Sequence, residues 1–172
     1  MTNISSANAR MKIDRAAEWS CDMDTNPFRE EYFLVEGDIL TLRIIDAHPG
    51  EGDALPFYWW SILLRSSGQK VGKISLRLGH NYHSYYNGNV GYEVDEECRG
   101  HHYALIACRM VAQIARRHGM GRLYFTCDQD NVASYRTIEG MGAKLIETVT
   151  PPNDYIFYYK GIPPHRIYLL EL

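Results

Sequence analysis

No stretch of this 172-residue sequence approaches the roughly 20 consecutive apolar residues of a membrane-spanning helix. Neither sign of charge dominates: 18 Lys and Arg stand against 21 Asp and Glu, a net charge of −3. A general nucleic-acid or anionic-membrane binder usually presents a basic face, so this balance argues against both classes. Cysteine is scarce. The four present, Cys21, Cys98, Cys108 and Cys127, form no CxxC pair, which argues against a disulfide framework and predicts free thiols in a reducing cytoplasm. The polar opening from Met1 to Lys12 lacks the apolar core of a signal peptide. The P-loop Lys-Ser/Thr run and the GxGxxG turn are both missing, which removes the commonest nucleotide-binding modules. Repeats and linker-like segments are absent too, so residues 1–172 read as one domain, with 1–30 as an N-terminal tail or helical segment.

Tyrosine is abundant, with 13 residues, as expected of half-buried strands. A first strand is predicted at Ile39–Ile45. The Gly/Pro-rich loop His48–Pro56 follows, then a hairpin of Phe57–Arg65 and Val71–Leu78 joined across Ser66–Lys70. Gly79–Gly88 reads as a loop and Asn89–Val94 as a strand. Ala104, Ala107, Cys108, Val111, Ala112, Ile114 and Ala115 form an apolar stripe at helical period, ended by Gly119. A strand at Leu123–Cys127 leads to the cap residues Asp128–Asn131 and a helix from Val132 to Met141. Strands at Lys144–Thr148, Tyr155–Tyr159 and Arg166–Leu170 close the chain, the last two as a pair. Short helices are predicted near Ile13–Trp19 and Asn26–Tyr32. The strand–helix–strand order implies one parallel pair, and the hairpins imply antiparallel ones. The fold class is therefore α/β (α+β), a mixed and mostly antiparallel sheet with a central parallel pair and helices on both faces.

The run Arg99-Gly100-His101-His102-Tyr103-Ala104 carries the most information. It lies between the strand Gly91–Asp95 and the long helix. A glycine there lets the chain turn tightly, leaving the first N–H groups of the helix pointing at anything anionic. Arg99 adds a fixed charge and a fork of donors matched to phosphate oxygens.

Three segments, GYEVDEECRGHHYA, LYFTCDQDNVAS and IEGMGAKLIE, resemble the GNAT superfamily of acyl-CoA-dependent N-acetyltransferases over roughly residues 70–150. The first is similar to the family's bulged strand and pyrophosphate loop. The second resembles the strand leading to the Asn and Ser near the pantetheine and sulfur. The third resembles the helix end and strand that complete the fold. N-x-x-S followed by Ile-Glu looks nearest to the ribosomal-protein Nα-acetyltransferase branch. The resemblance implies acetyl-CoA as co-substrate, held by Val94, Arg99, Gly100, His101, His102, Tyr103, Ala104, Asn131 and Ser134. It also implies an amine acceptor on a small molecule or peptide, and it is compatible with a homodimer. Two positions depart from the family. His102 stands where the loop usually has Gly, and Ile138 stands where many members carry a Tyr acid.

Acyl transfer to an amine needs a base, an oxyanion donor and a proton for the thiolate. The backbone N–H of Val94 matches the family's oxyanion donor. Glu93, the nearest carboxylate on that strand, is the expected base, and Ser134 sits at the sulfur end. His83 is a second base and Tyr135 a substitute acid. Metal binding is not expected of His80, His83, His101 and His102, since their spacing matches no zinc site. An acceptor groove is expected from the loops at His48–Pro56 and His80–Gly88 with the C-terminal strands. Glu51, Asp53, Trp59, Trp60, Tyr85 and Tyr86 would give it an acidic, aromatic lining. The alternative is a module of the same fold that binds acyl-CoA without turnover.

Overall fold

The computed structural model describes residues 27–172, so the predicted helix at Ile13–Trp19 and the thiol of Cys21 lie outside the described residues. Eight strands form two antiparallel sheets: β1 (Leu34–Glu36), β2 (Leu40–His48), β3 (Phe57–Leu64), β4 (Lys70–Arg77) and β5 (Val90–Val94) in sequential order, then β6 (Arg122–Asp128), β7 (Lys144–Val149) and β8 (His165–Glu171) in the order β6-β8-β7. The described residues also form three α-helices: α1 (Tyr82–Asn87), α2 (Tyr103–Arg117) and α3 (Val132–Gly140). Of the helix expected near Asn26–Tyr32, Asn26 lies outside the described residues and the rest contains only a 3₁₀ turn, Glu30–Tyr32.

The predicted apolar stripe is what docks α2. Ala107, Cys108, Val111, Ala112, Ile114 and Ala115 are all buried, in one cluster with Leu42, Tyr58, Trp60, Ile74 and Leu76 of the larger sheet. Strand alternation divides the smaller sheet between two cores. Phe125 and Tyr168 face the α2 cluster, while Tyr124 and Ile167 face Tyr85 and Tyr86 of α1, so this sheet has helices on both faces.

The expected parallel pair exists as contact, not as a ladder. Asn89 meets Tyr124 at the start of β5, and Tyr92 lies near Cys127 further along, so β5 and β6 advance in the same direction. Hydrogen bonds join them at Asn89. Its N–H donates to the Tyr124 carbonyl at 2.7 Å and its Oδ1 accepts from the Tyr124 N–H at 2.8 Å. Its Nδ2 donates to the carbonyls of Gly79 at 2.7 Å and Arg77 at 3.3 Å. Asn89 is wholly buried and fully engaged, as a buried amide must be. Beyond it the two strands part.

Three expectations are corrected. Gly79–Gly88 contains a helix, because Asn81 and Ser84 form a capping box that starts α1. Tyr155–Tyr159 is not a strand. Both edges of β8 are already taken by β6 and β7, so the expected pairing of that segment with β8 cannot form. The bulge expected in β5 is absent from its ladder with β4, which keeps one register from Leu76–Val90 to Gly72–Val94.

Candidate active site

Where β5 and β6 part, the N-terminus of α2 closes a cleft of about 490 Å³. β5 contributes Tyr92, Glu93 and Val94, the turn contributes Cys98, Arg99, Gly100, His102, Tyr103 and Ala104, and the start of α3 contributes Asn131, Ala133, Ser134 and Thr137. Of the residues the sequence singled out for the co-substrate, all but His101 line this one space. His101 is exposed and stacks on the Tyr103 ring at 5.2 Å, which turns it outward.

The turn is built by two left-handed residues. Gly100 has φ +86°, and a Cβ there would meet nothing within 4 Å, so the backbone conformation alone favours glycine. His102, with φ 59° and ψ 18°, is the N-cap of α2 and the one non-glycine residue of positive φ among those described. It occupies the left-handed conformation for which the family motif uses Gly, and His tolerates that region better than most side chains. No side chain caps α2, so its first N–H groups face the cleft with the positive end of the helix dipole. The Arg99 Nε donates to the Val94 carbonyl at 3.3 Å, which holds the guanidinium beside that helix end.

Deeper in the cleft, the Tyr92 hydroxyl lies 3.0 Å from Ser134 Oγ and donates to the Ser134 carbonyl at 3.2 Å. Burial, reinforced by the nearby Cys108 thiol, pushes the Tyr92 pKa well above the ordinary tyrosine value and keeps the hydroxyl protonated. The Asn131 Oδ1 accepts from the Ser134 N–H at 3.1 Å, so this Asn caps α3 and thereby fixes Ser134. Sequence reasoning missed Tyr92 as a site residue. The signal was strand alternation, which turns Tyr92 and Val94 to one face and Glu93 to the other.

Glu93 is drawn elsewhere. Its Oε2 lies 3.1 Å from Lys73 Nζ on the neighbouring strand, and its side chain is 60% exposed. Tyr135 is turned toward β8, with the Arg166 guanidinium 4.3 Å above its ring. His83 accepts from the Ile156 N–H through Nδ1 at 3.3 Å, and its Nε2 lies 3.6 Å from Asp53 Oδ2. Both nitrogens therefore have partners, and neither residue lines the cleft. Ile138 is fully buried in the core. No three His, Cys, Asp or Glu among the described residues gather as a metal site.

A second cavity, of about 230 Å³, lies across β5 from the cleft and is walled by the 53–57 loop, β4, α1 and the 156–157 turn. Asp53 reaches it as expected. Trp60, Tyr85 and Tyr86 do not, because all three are buried in the cores, and Trp59 lies on an open sheet face with Lys73 Nζ 5.8 Å above it. Arg77, Asn87 and Phe157 line this cavity instead, and no motif signalled them.

A family model described as "Acetyltransferase (GNAT) domain" matches residues 12–144. No protein of curated function matches the sequence significantly. Among solved structures, a Vibrio cholerae protein provisionally assigned as a ribosomal-protein-serine acetyltransferase superimposes with a TM-score of 0.60 at 19% identity, covering 81% of this chain and 98% of that one. A Salmonella typhimurium acetyl transferase that modifies the N-terminal serine of ribosomal protein L7/L12 gives 0.52 at 18%, over 67% and 64% of the two chains. The microcin C7 self-immunity acetyltransferase MccE, in complex with acetyl-CoA and AMP, gives 0.52 at 18%, over 67% and 61%. No described helix is long and apolar enough to cross a membrane.

Proposed function

The chain belongs to the GNAT acetyltransferase family, and from that premise we propose that it transfers an acetyl group from acetyl-CoA to a primary amine by direct attack within a ternary complex. The observation that carries this reading is the convergence of an anion-binding helix end and a protonated hydroxyl pair in one cleft. Arg99 and the free N–H groups of α2 suit a pyrophosphate. The parted backbones of β5 and β6 offer unpaired groups to an extended amide-bearing arm, a form of strand addition. The residues present therefore fit acetyl-CoA, which supplies the activated acyl group as a thioester.

In the reaction the amine nitrogen forms a bond to the acyl carbon, the carbon–sulfur bond breaks, one proton leaves nitrogen and one reaches sulfur. Tyr92 is the proton donor, since its hydroxyl is kept neutral by burial and oriented by Ser134. Glu93, the expected base, is engaged by Lys73, so the amine loses its proton mainly to solvent and Glu93 has a secondary part. Holding both reactants in line supplies most of the acceleration, worth up to about 7–11 kcal/mol in favourable cases.

Calorimetry with acetyl-CoA and a thiol-release assay over a panel of primary amines test the reading together. The expected result is binding plus turnover that rises with pH as the amine deprotonates. Binding with no turnover on any amine would instead establish the non-catalytic acyl-CoA module.

A further inference from the structure

The 230 Å³ cavity holds a cation with no anion to match it. Arg77 is half-buried, on β4 directly across from Phe57 of β3. With the Asn87 amide oxygen turned toward it, Asn87 accepts from Arg77 Nε at 3.2 Å and Nη2 at 3.1 Å, and its amide nitrogen donates to the Tyr155 hydroxyl at 3.2 Å. Those bonds fix the plane of the guanidinium. They leave its charge uncompensated, because no Asp or Glu among the described residues lies within ion-pair reach of it. The nearest acid in the cavity wall, Asp53, is turned to His83. Burying a charge is costly unless it is paired. A guanidinium oriented by an amide and left unpaired in a cavity is therefore poised for an incoming anion.

Three observations define that anion. The cavity wall beside Arg77 is apolar, with Leu55, Phe57, Ile156 and Phe157. Ile156 and Phe157 are exposed at 44% and 53%, apolar surface that an apolar ligand would cover. Finally, Arg77 borders β5 on the face opposite the cleft: a Cβ on Gly91 would lie 3.1 Å from Ser75 Oγ and 3.8 Å from Arg77 Nη1, and the next residue, Tyr92, turns to the other face, where its hydroxyl meets Ser134.

We propose that Arg77 anchors the carboxylate of the acceptor, and that the acceptor is a free α-amino acid with an apolar or aromatic side chain. A bidentate guanidinium–carboxylate pair fixes such a molecule in one orientation. Its amine, two bonds from the carboxylate carbon, is then directed toward β5 beside Gly91, and its side chain lies among Phe57, Ile156 and Phe157. A peptide N-terminus fits less well, since its carboxylate is absorbed into an amide. The inference rests on the acetyl-CoA cleft as proposed above.

The test compares ligands that differ only in the carboxylate. N-acetylphenylalanine and N-acetylphenylethylamine are titrated by calorimetry into the CoA-saturated protein, and phenylalanine and phenylethylamine are compared as acceptors. The carboxylate member of each pair is expected to be favoured at least tenfold. Arg77→Gln should abolish that preference and Arg77→Lys should keep part of it. Phe157→Ala, at an exposed position, should weaken both members alike. Equal binding of the two N-acetyl compounds by the unaltered protein overturns the proposal without any variant, and so does a preference that survives Arg77→Gln. Failure of the cleft assignment shows separately, as absence of acetyl-CoA binding in every protein tested.

Discussion

The two cavities flanking β5 are built on opposite plans. The larger is assembled from two short runs, 92–104 and 131–137, and its walls present backbone N–H groups, a helix dipole and hydroxyls. The smaller draws side chains from four separated segments, and it presents one oriented cation beside apolar groups and the Asp53–His83 pair. Backbone recognition suits a ligand that never changes, because it depends on conformation more than on side-chain identity. Side-chain recognition can be altered one residue at a time. On the reading proposed above, the first cavity serves the shared co-substrate and the second is where individual acceptors are chosen.

The strongest way to sharpen that contrast is at the reacting end of the larger cavity. Tyr92→Phe should lower kcat by about 10²–10⁴, the usual worth of general acid–base assistance, with acetyl-CoA affinity nearly unchanged. Glu93→Gln should cost less than about tenfold in the same steady-state assay, since ordinary surface ion pairs contribute little. The reverse ranking would return the main role to Glu93. Arg99→Ala should weaken acetyl-CoA binding by about 1.5–3 kcal/mol, as expected for a charge-assisted hydrogen bond. The loss should shrink for an acyl-pantetheine lacking the pyrophosphate. An equal loss with both ligands would mean that Arg99 supports the fold.

A further expected effect concerns acid. His80 and His118 share a third recess, and burial, aided by Arg122 and Arg29 respectively, pushes each down to about 4. The folded state therefore disfavours the protonated ring, while the unfolded chain binds a proton below the ordinary value of about 6.5. Stability should be level above that value and decline as pH falls from 6.5 toward 4. Thermal melts across pH 4–8 would show it, and His118→Gln should flatten part of the slope. The smallest effect is expected at His102. Left-handed conformation costs a non-glycine residue about 1–2 kcal/mol, so His102→Gly should raise the Tm by a few degrees and leave acetyl-CoA affinity within about twofold. A fall in affinity would show that the imidazole itself contacts the ligand.

What the sequence made legible follows the same division. The helix stripe of α2, the hairpin across Ser66–Lys70 and the Arg99–Ala104 turn are local, and local pattern is what periodicity and turn chemistry report. The failures were questions of pairing. Whether Tyr155–Tyr159 forms a strand depends on edges already occupied by β6 and β7, and whether Trp60 and Tyr85 line a groove depends on which core claims them. Arg77 is one basic residue within the predicted strand Val71–Leu78. Its isolation from carboxylates is a property of three-dimensional placement, and no spacing rule reports it.

Asn89 has a mechanical consequence. Between β5 and β6 it is the point of hydrogen-bonded attachment among the described residues: two bonds tie it to Tyr124 of β6, and others tie it to Arg77 and Gly79 on the opposite side, at the closed end of a wedge. Opening the wedge levers against that point and strains no ladder, so the gap between the strands is compliant at its mouth and stiff at its apex. For an acyl group held there as proposed, the expected limit on chain length is the depth at which the chain meets the apex. Bulk is resisted where Asn89 holds the strands together and accommodated where nothing holds them.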